Sequence, residues 1–86
     1  GTVTVQPPAP PTPTLPASSF SIAAGVPTFT NVPTTAGYTY WLTYKNSLRD
    51  AAWTRIGAGT AGGGNKTFTD TVTPYPANRF YRLEVQ

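Results

Sequence analysis

The chain has 86 residues, a length that allows one small domain. Its net charge is +3, and its six basic side chains are spread singly along the sequence. Nucleic-acid-binding domains instead cluster Lys and Arg in a stripe, and no apolar run approaches the ~20 residues that span a bilayer, so we expect neither a nucleic-acid partner nor a membrane span. Histidine and cysteine are absent, which removes the usual zinc, haem and iron–sulfur ligands and the common nucleophile–base pairs, so no metal or other cofactor is expected.

The N-terminal arm has two parts. Residues 1–6 alternate β-branched threonine and valine, a pattern that favours a strand. Residues 7–17 form a proline-rich linker that favours polyproline II, at about 3.1 Å per residue. Proline lacks the N–H of a sheet ladder, so the linker is expected to hold the first strand away from the following domain. The predicted N-terminal strand consists of Thr2, Val3, Thr4, Val5 and Gln6.

Residues 18–86 have the pattern of a small all-β domain. Short runs of alternating apolar and polar residues are separated by glycine and proline, and no stretch has a trustworthy helical period. The glycine-rich segment 57–64 is expected to be a loop. The strands predicted in this way cover residues 19–24, 27–32, 38–45, 52–57, 66–72 and 79–86. We therefore predict a two-layer β-sandwich.

Strand alternation also predicts the inner and outer faces. In strand 38–45, Tyr40 and Leu42 share the inner face and Trp41 points outward, and in strand 79–86 Tyr81 and Leu83 point inward while Phe80 points outward. If these two strands are neighbours, Trp41 and Phe80 share one outer face. Two alternatives stay open for this pair: it contacts a sugar or another protein, or an extra strand or the proline arm covers it.

The three carboxylates, Asp50, Asp70 and Glu84, do not resemble a catalytic set. A glycosidase needs two carboxyl groups about 5–10 Å apart across a cleft, whereas these residues are scattered and sit beside turns or on a strand. Capping of turns is the expected role of Asp50 and Asp70. A structural ion pair of Asp70 with Arg79 or Arg82 is also expected. The chain is therefore predicted not to be an enzyme.

Two kinds of glycosylation are compatible with the sequence. The triplet that begins at Asn65 matches the N-glycosylation sequon and lies in an expected loop. The threonines of the arm could carry O-linked sugar.

Four fragments, in this order, resemble fibronectin type III-like modules of large secreted bacterial proteins. They are Gly37-Tyr38-Thr39-Tyr40-Trp41-Leu42-Thr43-Tyr44, then Leu48 to Trp53 with Ile56-Gly57, then Phe68-Thr69-Asp70, and Arg79-Phe80-Tyr81-Arg82-Leu83. The resemblance covers about residues 18–86. It implies an immunoglobulin- or fibronectin-type sandwich, export from the cell and a buried Trp53, and it carries over no catalytic residue.

A count of the strands leads to a functional hypothesis. The strand 79–86 resembles the penultimate strand of a seven-stranded sandwich, with Tyr81 in a tyrosine-corner-like position, and only Gln86 follows it, so one edge strand is expected to be missing. The N-terminal strand could complete the sandwich of its own subunit or of a neighbour. We favour donation to a neighbour, because a stiff proline tether resists a sharp return.

The favoured function is thus a non-catalytic, secreted structural protein: a filament subunit or a cell-surface or matrix module. Its partners would be copies of itself or other cell-surface components, including polysaccharide. The alternative is a carbohydrate- or protein-binding accessory module of a larger secreted enzyme, in which the proline run is an interdomain linker.

Overall fold

A computed structural model describes residues 9–86, so the predicted strand of Thr2, Val3, Thr4, Val5 and Gln6 lies outside the described residues. After one turn of 3-10 helix, Ala17–Ser19, all regular structure is β. The strands are β1 Phe20–Ala23, β2 Val26–Thr34, β3 Thr39–Lys45, β4 Thr54–Arg55, β5 Thr60–Ala61, β6 Gly64–Thr69 and β7 Phe80–Val85. The predicted all-β fold class is confirmed.

The seven strands form two antiparallel sheets. The first sheet has the order β1-β2-β6, and in the second β3 pairs with β7 on one side and with the short strands β4 and β5 on the other. Immunoglobulin-type sandwiches place their first, second, fourth and fifth strands in one sheet and their third, sixth and seventh in the other. Here β1, β2 and β6 have the order of the first, second and fifth strands, and β3 pairs with β7 as the third strand does with the sixth. Residues 9–86 provide no fourth strand in the first sheet and no strand on the outward side of β7.

The core lies between the two sheets and is built by period-two alternation. The buried apolar residues are Phe29, Val32, Tyr40, Leu42, Ile56, Phe68 and Leu83. In β2 the spacing is three rather than two, because a bulge between Phe29 and Val32, with Asn31 at φ +55°, turns both side chains inward. The predicted inner residues Tyr40, Leu42 and Leu83 are confirmed, and Tyr81 packs partly against this core.

The expectation that Trp53 is buried is wrong. Ile56 takes the inner position at this edge, where its N–H donates to the carbonyl of Leu42 at 2.9 Å. Trp53 lies an odd number of positions away from Ile56, so it points outward together with Arg55. The alternation within this short strand therefore predicts the face of Trp53 better than the family resemblance does.

The edge formed by residues 52–64 also differs from the prediction. The strand predicted at residues 52–57 is only two residues long, Thr54–Arg55. The loop predicted at residues 57–64 contains a second short strand, Thr60–Ala61. Glycine is required where this segment crosses β3: a Cβ on Gly59 would lie 2.8 Å from the Trp41 ring, and a Cβ on Gly62 would lie 2.1 Å from a backbone carbonyl. The close approach of this backbone thus depends on two residues without side chains.

Candidate functional site at the open edge of the second sheet

One edge of β7 has no ladder partner among the described residues. On its other side β7 pairs with β3, and Thr39 and Gln86 exchange two backbone hydrogen bonds of 2.8 and 2.9 Å. Because hydrogen-bonded and non-bonded pairs alternate in antiparallel ladders, the N–H and C=O groups of Tyr81, Leu83 and Val85 point away from β3. The outward edge of β7 therefore offers the backbone groups of three residues to an added strand.

An aromatic cleft lies between the free edges of the two sheets, beside the start of β7. Its apolar lining comes from Leu15, Phe20, Phe29, Phe80 and Tyr81. Three of the rings contact one another in series: Phe20 is tilted against Phe29 with centroids 5.1 Å apart, and Phe29 meets Tyr81 edge to face with centroids 5.3 Å apart. Phe20 and Phe80 remain 43% and 38% exposed. The open β7 edge is thus accompanied by an apolar surface that an entering strand would cover.

The described part of the proline-rich arm packs against the sandwich without joining a sheet. Within residues 9–16, Pro11, Pro13 and Leu15 are half-buried and alternate with the exposed Thr12 and Thr14. Leu15 packs against the core. No backbone hydrogen bond joins residues 9–15 to β7, so this part of the arm leaves the ladder groups of the edge without partners.

A buried polar cluster fixes the start of β7 to the end of β6. The Asp70 side chain is fully buried, and its Oδ2 accepts hydrogen bonds from Arg79 Nη1 at 2.7 Å and from the Tyr81 hydroxyl at 2.5 Å. Its Oδ1 accepts from the Val72 N–H at 2.8 Å, and the Tyr75 hydroxyl donates to the Asp70 carbonyl at 2.6 Å. Of the two ion pairs predicted for Asp70, with Arg79 or with Arg82, the structure has the one with Arg79.

Hydrogen bonding in this cluster controls its titration. Burial opposes the charged form of Asp70, but hydrogen bonds from Tyr81, Arg79 and the Val72 amide, together with the Arg79 charge, hold the pKa of Asp70 below its ordinary value. Burial and the neighbouring carboxylate of Asp70 raise the pKa of Tyr81, so its hydroxyl stays a donor. The cluster holds the start of β7 in place, and both Asp70 oxygens accept hydrogen bonds within it.

Acid is expected to destabilise the protein through Asp70. Its folded-state pKa lies below the unfolded value of about 3.9, so its contribution to the free energy of unfolding is present above about pH 4 and is lost as the pH falls through the folded pKa. Thermal melting of the wild type from neutral pH to about pH 2 should show this loss. The Asp70→Asn variant should lose less on acidification, and an equal acid dependence of both proteins would contradict the assignment.

The other two carboxylates also make local contacts. Asp50 Oδ2 accepts hydrogen bonds from the backbone N–H groups of Asn46 and Ser47, both at 3.2 Å, as expected for a turn cap. Glu84 pairs with Arg55 on the outer face of the second sheet.

Residues 9–86 contain no group of three or more His, Cys, Asp or Glu side chains that could hold a metal ion. In the same range, no helix has the length and apolar character that a membrane span requires.

Trp41 and Phe80 share the outer face of the second sheet but are far apart on it. Trp41 lies opposite Glu84, whereas Phe80 lies opposite Lys45, four positions along β3. At ~3.3 Å per residue this offset is about 13 Å. Trp41 is half-buried under Arg55, whose guanidinium lies 3.9 Å from the ring centroid. The two aromatic side chains therefore do not form one contact surface.

Asn65 is exposed but lies in β6, where it is opposite Pro33, rather than in the expected loop. The loop prediction failed because the preceding glycines do not prevent β6 from beginning at Gly64.

Sequence reasoning also missed Phe20 and Phe29 as lining of the cleft. Their alternation in the sequence was a usable signal for strands, but it does not tell which strand edges stay open.

No protein-family model, curated protein or solved structure matches this chain.

Proposed function

We propose that this protein is a non-catalytic structural subunit of an extracellular assembly, in which the N-terminal strand of one copy pairs with β7 of another. One observation carries the proposal: the outward backbone groups of Tyr81, Leu83 and Val85 have no ladder partner within residues 9–86. A sheet edge of this kind is a template for an added strand. The extracellular location rests on the resemblance to modules of secreted proteins.

The proposed donor is residues 2–6, whose alternation matches the acceptor. One face of that predicted strand would carry Val3 and Val5, and the other would carry the threonines. Beside β7, the valines would face the apolar space between the sheets, where Phe20 and Tyr81 line the cleft. The same contact would bury the two valines and give the outward backbone groups of β7 hydrogen-bond partners.

Ladder hydrogen bonds and buried valines would be the two stabilising terms of such a contact. Four or five added ladder hydrogen bonds stabilise by roughly 1 kcal/mol each, and burial of two valines adds about 1.5–3 kcal/mol each. The loss of freedom of the donor strand opposes these terms. Because the donor and the acceptor are different surfaces, the contact is heterologous, and it propagates into a filament unless the subunits close into a ring.

Deletion of residues 1–6 tests the proposal. The full-length protein should form oligomers whose size grows with protein concentration, and the truncated protein should be monomeric with a lower melting temperature. Addition of a free peptide of residues 2–6 should raise that melting temperature again. Sedimentation velocity and thermal melting measure these outcomes.

A pair of full-length variants gives a matched control. Val3→Asp with Val5→Asp should abolish assembly, because charges would enter the apolar cleft. Thr2→Asp with Thr4→Asp adds the same charge on the opposite face of the strand and should leave assembly largely intact. A monomeric wild type whose melting temperature falls on truncation would mean that the strand pairs within its own subunit. A monomeric wild type that melts as the truncated form does would make the arm a linker only.

A further inference from the structure

A group of basic side chains lies on the outer face of the second sheet. Lys45 projects from β3, Arg55 from β4 and Arg82 from β7. Arg55 and Arg82 flank Thr43 on its two sides, and Lys45 is two positions farther along the same face, about 7 Å away along the strand. The central Thr43 is buried beneath this layer. Three of the six basic residues of the chain are thus collected on one sheet face.

Two of these cations have no carboxylate partner. Glu84 pairs with Arg55 at 2.5 Å, and within the described range the only other ion pair is that of Asp70 and Arg79. Lys45 and Arg82 instead lie over the same indole ring, 4.9 and 4.7 Å from the centroid of Trp53. The ring attracts both cations but leaves their like charges uncompensated. An anion placed at their free N–H groups would remove that repulsion.

The two indole rings of this face are already in contact with other groups. Trp41 has the Arg55 guanidinium at 3.9 Å, and the backbone of Gly59 approaches the same ring closely. Trp53 carries the two cations. Proteins that bind single-stranded nucleic acid need free rings on which successive bases stack. This face instead offers N–H donors held over rings, an arrangement that suits carboxylate or sulfate oxygens.

We propose that the outer face of the second sheet, at Lys45, Trp53 and Arg82, binds an acidic polysaccharide through its carboxylate or sulfate groups. Two cations at the protein surface, a half-buried Lys45 and an exposed Arg82, hold a single small anion weakly, whereas a polymer with repeated anionic groups rebinds at high effective concentration. This site is separate from the open edge of β7, so it does not depend on strand donation.

Binding of the full-length protein to immobilised polymers tests the inference. Polygalacturonate presents carboxylates, dextran sulfate presents sulfates, unmodified dextran is the neutral control, and an oligothymidylate is the nucleic-acid probe. We expect binding to one or both acidic polysaccharides, weakening with added salt, and none to dextran. The preferred polymer distinguishes a carboxylate ligand from a sulfate ligand.

Two double variants that lower the net charge equally distinguish binding by this face from attraction by the overall charge. Lys45→Gln with Arg82→Gln should weaken binding about tenfold, as expected for two exposed ion pairs. Arg49→Gln with Lys66→Gln removes two cations elsewhere and should change binding less than about twofold. Lys45→Arg with Arg82→Lys keeps both charges and should retain binding, which guards against loss through misfolding.

Three results would overturn the proposal. The first is that neither acidic polysaccharide binds at low salt. The second is that both double glutamine variants weaken binding equally, and the third is that the oligothymidylate binds as tightly as the polysaccharides. The second result would mean attraction by net charge alone, and the third would indicate a nucleic-acid ligand.

Discussion

The Asp70→Asn variant is expected to lose about 3–5 kcal/mol of its free energy of unfolding. The change leaves Arg79, whose side chain is 6% exposed, without a counter-charge in the protein interior. In the wild type both carboxylate oxygens accept hydrogen bonds, from Val72, Arg79 and Tyr81. The variant replaces one of these oxygens by an NH₂ group, which cannot accept, so at least one hydrogen bond is lost. Small domains have only roughly 0.05–0.15 kcal/mol of stability per residue. Urea denaturation followed by tryptophan fluorescence should therefore show a largely destabilised protein.

Two further variants identify the cause. Asp50→Asn makes the same chemical change at an exposed turn and should cost less than about 1 kcal/mol. Asp70→Asn combined with Arg79→Gln removes both charges, so it should recover part of the loss of the single change. If Asp70→Asn and Asp50→Asn prove equally mild, the buried ion pair does not contribute as described.

The Leu83→Ala variant should lose about 2–5 kcal/mol of stability. Leu83 is 2% exposed and lies directly opposite Leu42 in the β3–β7 ladder, so truncation leaves a cavity between the two sheets. The neighbouring strands cannot close that cavity without breaking ladder hydrogen bonds. Thermal and urea unfolding of the variant, measured at low protein concentration to limit assembly, gives the loss.

Leu48→Ala is the control for this measurement, because Leu48 is 70% exposed and the same atoms are removed. Its change in stability should stay within about 0.5 kcal/mol. A Leu83→Ala variant as stable as Leu48→Ala would mean that the β3–β7 contact is not the centre of the core.

Most of the strands and their inner faces could be predicted from the sequence. In β3 and β7 the alternation that places Tyr40 with Leu42 and Tyr81 with Leu83 leads directly to the inner face. The bulge at Asn31 was not predicted, because it depends on how β2 pairs with β6. The division of the edge strand into β4 and β5 was missed for a similar reason, since glycines permit both a loop and a close approach to β3.

The candidate site was predictable only in part. The number of strands in the sequence indicated that a sandwich edge would be missing, and β7 has an open edge within residues 9–86. The lining of the cleft by Phe20 and Phe80 could not be inferred, because it depends on which edges of the two sheets face each other. The cation layer over Trp53 was likewise missed, since the resemblance placed that residue in the core.

The sequence by itself determined the all-β class and the inward faces of the longer strands, and it limited the ionic partner of Asp70 to Arg79 or Arg82. These properties are local, because they follow from period-two alternation and from the short separation of Asp70 from the two arginines in the sequence. Only the tertiary structure decided the pairing of Arg55 with Glu84, 29 residues apart, and the contact of Trp53 with Arg82. Several cations and rings of this chain could form such pairs, and the register between distant strands selects among them.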